Sequence, residues 1–310
     1  MRHSRRGLVA AVPLLLVLGL TAACGGSDSQ GLGLDSVSFS GKVGQEPKVT
    51  FDGQVTDPTQ QTKVLVDGTG PVIKTGDQVV VQQWLGNGYT QKVASDTYAD
   101  HSPQLVPING KVNPIFLKAI QGQHLGSRVV ISTEADKVYG QVGNPNLQIG
   151  NKDVVVIMFD LISTLKDGPD GTAHKAPSWA PTFKKTKGTL SGFGFAGTPQ
   201  PNGTLRQATL DSGTGPVVTK GQTIWARYLG QVYGAKKPFD ENYSKDPISS
   251  RIGVGAVVKG WDQVLVGKKV GSRVLMALPP KLGYGKAGNS QAGVKGTDTL
   301  YFVVEILAAA

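Results

Sequence analysis

Val257-Val258-Lys259-Gly260-Trp261 packs two β-branched residues, a glycine and the largest aromatic side chain into five positions. Val257 and Val258 favour a strand, and Gly260 interrupts that preference. The residues that follow, Asp262-Gln263-Val264-Leu265-Val266-Gly267, predict one or two turns of helix closed by glycine, with Trp261 and Leu265 four apart on one face. Taken alone, the stretch is a strand-to-helix corner with a buried tryptophan. Its neighbours in the sequence add a second reading.

Upstream, Tyr228-Leu229-Gly230 ends an alternating strand and Lys237-Pro238-Phe239-Asp240-Glu241-Asn242 follows it. Downstream come Leu282-Gly283-Tyr284-Gly285 and Leu300-Tyr301-Phe302-Val303-Val304-Glu305-Ile306-Leu307. In order and spacing these blocks resemble the FKBP-type peptidyl-prolyl cis-trans isomerases, whose pattern runs from Y-T-G through F-D, V-I-x-G-W and Y-G to T-L-x-F-x-V-E-L. The resemblance is close from Gly203 to Leu307, about a third of the chain. It implies a strongly curved antiparallel sheet around one short helix, with an apolar bowl between them. It also implies that Trp261 is the floor on which a proline ring packs and that Tyr228, Phe239, Ile248, Val257, Val258 and Phe302 are walls. The Val258 N–H and the Tyr284 hydroxyl would hold peptide carbonyls, and Asp240 would place its carboxylate at the rim beside the reacting amide. Asp240, Tyr284 and Trp261 are thus the expected catalytic residues, with no cofactor or metal and with a macrolide as a further expected ligand. The chain departs from the pattern at Ile248, where an aromatic is usual, at Val294-Lys295-Gly296 in place of I-P-P, and at Asn289, a histidine in some members. These departures bear on macrolide affinity and sequence preference more than on activity.

The residue inventory agrees with a reaction that breaks no bond. His3, His101, His124 and His174 lie outside residues 187–310, which also hold no cysteine and no G-x-S-x-G elbow. Prolyl isomerisation rotates a C–N bond against a barrier of about 20 kcal/mol set by amide resonance. An apolar site that prefers the twisted amide lowers that barrier without a nucleophile.

An internal repeat doubles the architecture. Gly68-Thr69-Gly70-Pro71-Val72 recurs as Gly213-Thr214-Gly215-Pro216-Val217, and Gly126-Ser127-Arg128-Val129 as Gly271-Ser272-Arg273-Val274, both 145 positions on. The same offset pairs Tyr139-Gly140 with Tyr284-Gly285, and the run from Asp153 with the run from Asp298. Short alternating strands and one helix per copy give an α+β expectation: two tandem FKBP-like domains, each a curved antiparallel sheet wrapped around one short helix. The first copy keeps Trp84 and Tyr139 but carries Phe116 for Trp261, Asn113 for Val258 and Ile157 for Phe302, and it has no F-D. Its fold signature survives while its site is eroded.

Residues 1–23 have a basic start (Arg2, Arg5, Arg6), an apolar run from Leu8 to Leu20 too short to span a bilayer comfortably, and small residues before Cys24. They read as a secretory signal. Leu20-Thr21-Ala22-Ala23-Cys24 resembles a bacterial lipobox, which implies that Cys24, the only cysteine, carries lipid; an unmodified cysteine in a secreted protein is the other reading. Arg5-Arg6 leaves the general and twin-arginine export routes both open. Removing the three leader arginines lowers the formal charge from +10 to +7. No zinc spacing, RNP-like motif or basic helix accompanies that charge, so nucleic acid is not an expected partner. Residues 24–44, rich in Gly, Ser, Asp and Gln, read as a flexible tether with a reach of about 25 Å. Residues 45–165 form the degenerate first domain, 166–186 a Pro/Gly-rich linker whose Trp179 and Phe183 are candidates to dock on one domain, and 187–310 the isomerase domain.

The expected function is prolyl isomerisation on proline-containing exported clients, outside the cytoplasm at a membrane surface, with the activity in the second domain. A non-catalytic peptide-binding chaperone or assembly factor of the cell envelope is the alternative.

Overall fold

The computed structural model describes residues 31–310, so the signal segment and Cys24 lie outside the described residues. The first lobe contains β1 (Val37–Ser40), β2 (Lys48–Phe51), β3 (Gln61–Val66), β4 (Gln78–Asn87), β5 (Lys92–Asp96), β6 (Gln104–Pro107), helix α1 (Pro114–Ile120), β7 (Arg128–Glu134), the single turn α2 (Asp136–Tyr139) and β8 (Val154–Thr164). There follow β9 (Thr172–Ala173), β10 (Thr182–Thr186), β11 (Thr189–Gly194), β12 (Arg206–Ser212), β13 (Thr223–Val232), β14 (Asp240–Glu241), β15 (Ile248–Arg251), α3 (Lys259–Leu265), β16 (Arg273–Leu278) and β17 (Leu300–Ala309). The first large sheet has the order β3-β7-β8-β4-β5, with β6 also on β4. The second has β12-β16-β17-β13-β14, with β15 also on β13, and β9 extends its β12 edge. Strand for strand the two orders coincide, and every pairing is antiparallel. The 145-residue repeat is therefore a repeat of topology.

Alternation along the central strands divides each sheet into two faces. On β17, Leu300, Phe302, Val304 and Ile306 join Trp261, Val264 and Leu265 of α3 in one core, together with Val274, Met276 and Leu278 of β16. Tyr301 and Val303 point the other way and pack with Leu229, Leu275 and Phe193. The helix starts at Lys259, two positions before Trp261, where the pattern places its first residue; the Val258 carbonyl accepts the Trp261 N–H at 2.9 Å. Gly260 is required in its first turn, since a Cβ there would lie 2.3 Å from the Leu278 side chain.

Two expected boundaries are corrected. The tether was expected to run to residue 44, yet β1 lies within it and pairs with β2 in the register Val37↔Phe51 to Ser40↔Lys48. Leu34, Val37 and Phe39 are too few to build a core, but they cover the far face of the first sheet against Trp84, Val130 and Met158. Likewise, residues 166–186 are not a free linker. Thr172 and Ala173 add a strand to β12, and Thr182–Thr186 forms a hairpin with Thr189–Gly194 that covers the far face of the second sheet. Trp179 packs on Tyr301 with ring centroids 6.4 Å apart, and Phe183 on Phe193 at 5.5 Å. Composition marks these segments as unable to fold alone; it is silent on the sheet face that receives them. The first lobe also exceeds the expected single helix by α2, one turn at the Tyr139 position.

The lobes meet at a small apolar seam of Val80, Trp225 and Ala308, flanked by Leu105, Ile162 and Leu165. Lys166 N–H donates to the Leu307 carbonyl across it at 3.1 Å.

Candidate active site

The residues singled out from the sequence converge on one end of the second lobe. Trp261 and Phe302 are buried members of the helix-face core, and Tyr228, Phe239, Ile248, Val257, Val258 and Tyr284 pack partly buried against it. Trp261 is 4% exposed. Its ring meets Tyr228 edge-on at 5.3 Å and Phe302 at 5.5 Å. Phe239 in turn stands at 90° to Phe302, 5.6 Å away, and reaches Tyr284 at 6.3 Å. These edge-to-face contacts fix each ring's tilt and make the wall one continuous aromatic surface.

Strand register explains how residues far apart in sequence meet. Gly230 on β13 pairs with Asp240 on β14 and with Phe302 on β17. A Cβ on Gly230 would lie 2.6 Å from Phe302 and 2.7 Å from Phe239, so only glycine lets both rings close over the strand. Tyr228, two residues before Gly230, is diagonal to Asp240, within reach of a long side chain. Its hydroxyl donates to Asp240 Oδ2. Asp240 is exposed at the rim, so this bond fixes a carboxylate that would otherwise rotate freely in water. Burial first, then the neighbouring carboxylate, pushes the Tyr228 phenol above its ordinary pKa, so the hydroxyl stays a donor at neutral pH.

Two supporting residues escaped the sequence reading. Asn242, 3% exposed, accepts the Tyr228 N–H at 2.6 Å and donates to the Ala226 carbonyl at 2.9 Å, which pins β13 where the wall begins. Asp262 accepts the N–H groups of Gly253 at 2.6 Å and Gly255 at 2.8 Å, tying the loop before Val257 to the helix that carries Trp261. An Asp in the early part of a short helix, preceded by glycines, is the signal that could have found the second. Asn242 has no such local signature. His174, placed outside the second domain by the sequence boundaries, in fact lies beside β9 with Nε2 2.8 Å from the Ser212 hydroxyl. That is the opposite sheet edge from β14.

The chemistry available is binding and orientation. The bowl offers an apolar floor, an aromatic wall and a held carboxylate. Trp261 adds a buried indole N–H with no hydrogen-bond partner among the described residues, a donor whose desolvation the protein does not offset. Among the described residues, no group of three or more His, Cys, Asp or Glu side chains is placed to hold a metal ion.

In the first lobe the same register puts Ser95 opposite Leu85, where the second has Asp240 opposite Gly230. Gln83 replaces Tyr228 on the strand, and Thr97 takes the place of Asn242, its hydroxyl accepting the Gln83 N–H at 2.7 Å. Phe116 packs on Phe159 at 5.3 Å within the core. The scaffold bond is kept, while the phenol, the carboxylate and the indole are gone.

Residues 215–307 match the family model of the FKBP-type peptidyl-prolyl cis-trans isomerases. An FK506-binding protein of Streptomyces anulatus is 33% identical over 110 residues, which are 35% of this chain and 89% of that protein. Peptidyl-prolyl cis-trans isomerase FKBP53 of Arabidopsis thaliana is 33% identical over 108 residues, 34% of this chain but only 22% of that longer relative. The solved structure of the three FKBP domains of wheat FKBP73 aligns with 81% of this chain and 94% of its own, at 17% identity and a TM-score of 0.33. The chain belongs to the FKBP-type peptidyl-prolyl cis-trans isomerases.

Proposed function

We propose that the isomerase activity resides in the second lobe and acts on proline-containing exported proteins outside the cytoplasm. The observation that carries this reading is the closed set Trp261, Tyr228, Phe302, Phe239 and Tyr284 around the rim carboxylate of Asp240. In this role the proline ring lies on Trp261, and the aromatic wall strips water from the amide. Losing its water favours the twisted, less resonance-stabilised amide over the planar one. The Val258 N–H and the Tyr284 hydroxyl hold peptide carbonyls, and Asp240, oriented by Tyr228, stands beside the reacting amide. Ile248 and Val257 complete the wall. The relative from Streptomyces anulatus is named for FK506, and the same apolar bowl is proposed as a macrolide site here.

The test uses the full chain on an X-Pro peptide in a protease-free assay. Turnover should be present in the parent and largely lost in the Asp240→Ala, Tyr284→Phe double variant. Full activity of that folded variant would remove the site from this lobe. Absence of turnover in the parent, with suppression of client aggregation, would favour the chaperone reading instead.

The first lobe is proposed to be a degenerate copy used for spacing or client capture. Cys24 is proposed as a lipidated mature N-terminus that holds the protein at the membrane. Changing Cys24 to Ala should release the protein from membranes or block processing, and unaltered membrane retention would count against the anchor.

A further inference from the structure

The two lobes also differ on the sheet faces turned away from their helices. In the first lobe, Arg128 and Asp160 form an ion pair with 2% and 0% side-chain exposure. The chain's own loop between β1 and β2 seals it. Gly44 N–H donates to Asp160 Oδ2 at 2.6 Å, and Arg128 donates to the carbonyls of Gly41 at 3.1 Å and Lys42 at 3.0 Å. Tyr98 completes the arrangement, its hydroxyl donating to Asp160 Oδ2 at 2.6 Å. Arg128, Asp160 and Tyr98 thus satisfy one another, and a glycine-bearing peptide turn takes up the remaining hydrogen bonds of the pair.

At the matching positions, 145 residues on, the second lobe has Arg273, Glu305 and Tyr243. The covering hairpin differs. Its turn is only Lys187-Gly188, with φ of 50° and 85°, the two left-handed residues of a tight two-residue turn. That turn does not reach down onto the ion pair, and Asp167–Pro169 border the space on one side. A cavity of about 590 Å³ remains, walled by Phe183, Leu190 and Arg227 and floored by Tyr243, Arg273 and Glu305. The Arg273 side chain is 38% exposed. It contacts Glu305 through Nε at 2.8 Å and Nη2 at 2.7 Å, and Asp211 through Nη1 at 3.0 Å. The Tyr243 hydroxyl is buried near the Glu305 carboxylate without the well-formed bond that joins Tyr98 to Asp160.

We propose that this cavity is a second peptide site, which takes a glycine-containing turn of another polypeptide. The turn's glycine N–H donates to the Glu305 carboxylate, and its carbonyls accept the Nη1 and Nη2 hydrogens of Arg273 that Glu305 and Asp211 do not use, as the Gly41 and Lys42 carbonyls accept from Arg128. The first lobe's Gly41–Gln45 loop is the internal example of the ligand. The volume falls within the range of small-ligand and peptide pockets, and the charged floor selects backbone dipoles over a purely apolar guest. A client held here would leave the bowl on the opposite face of the sheet free for its prolines.

The probe is the capped heptapeptide Ser40–Glu46, which contains no proline and so offers the bowl no substrate. It is titrated to millimolar concentration into the full chain and followed by amide NMR shifts. Saturable shifts are expected at Leu190, Tyr243, Arg273 and Glu305. The same peptide with N-methylglycine at the Gly44 position lacks the donor and should bind at least about tenfold more weakly. This ligand-side change cannot unfold the protein. Absence of saturable shifts, shifts confined to the Trp261 bowl, or equal affinity for the N-methylated peptide would each overturn the proposal.

Discussion

Asp240 and Tyr228 show how a single hydrogen bond changes the meaning of two residues. In the sequence, Tyr228 is a wall and Asp240 a rim charge; in the fold, one orients the other. Asp240→Ala and Tyr284→Phe should each lower kcat/KM with the fold intact, and a tenfold loss corresponds to about 1.4 kcal/mol of transition-state stabilisation. Single variants assayed on an X-Pro peptide, with circular dichroism as the folding control, check this. The pH response follows from the phenols. The bowl contains no histidine, and His174 lies at the far edge of the sheet, so kcat/KM should be flat between pH 6 and 8. At alkaline pH the sign is set by Tyr228, Tyr243 and Tyr98, all raised mainly by burial. The unfolded chain releases their protons near pH 10 while the native state retains them. Stability is therefore full below about pH 10 and declines as pH rises beyond it. Denaturant midpoints measured from pH 7 to 11 read this directly; a midpoint unchanged to pH 11 would contradict it.

At the level of elements, each large sheet depends on a hairpin borrowed from the chain before it. The β10–β11 hairpin brings Phe183 and Phe193 onto the far face, and Trp179 arrives just ahead of it. A fragment starting at Lys187 loses β10, Trp179 and Phe183. Relative to a fragment from Gly168 to Ala310, it should be less stable by about 3 kcal/mol or more, the scale of emptying one large aromatic site in a core. Urea unfolding of the two fragments tests this; equal midpoints would mean that the hairpin is an ornament of the surface. The first lobe takes the same device further, since its loop also seals the Arg128–Asp160 pair. A charge pair with almost no exposure tolerates loss of its partner groups poorly, because the remaining charge stays buried.

For the molecule as a whole, two lobes of one topology carry unequal sites. The first keeps the scaffold bond from Gln83 to Thr97 yet has lost the phenol, carboxylate and indole equivalents. Isolated first-lobe fragments beginning at Gly31 should therefore show little X-Pro turnover beside the second lobe. Comparable rates would show that these three groups matter less than the shape of the bowl. The seam at Val80, Trp225 and Ala308 joins the lobes through few side chains, small beside the core within either one.

Read without coordinates, the chain declares its family through glycine and aromatic spacings, because those residues answer to local needs. Gly260 must pass under Leu278, Gly230 must clear two rings, and alternation on β17 must serve two faces. Such demands recur at fixed offsets and so are visible in one dimension, as is the 145-residue repeat. The tertiary structure alone decided which weak segments fold. Val37, Phe39, Trp179 and Phe183 carry too little apolar surface to order themselves, and their burial depends on a sheet face built by strands distant in the chain. The same holds for the bond from Tyr228 to Asp240 and the support of Asn242, which exist only once the register of β13, β14 and β17 is set. Register is a property of pairs of strands, and composition along one strand does not contain it.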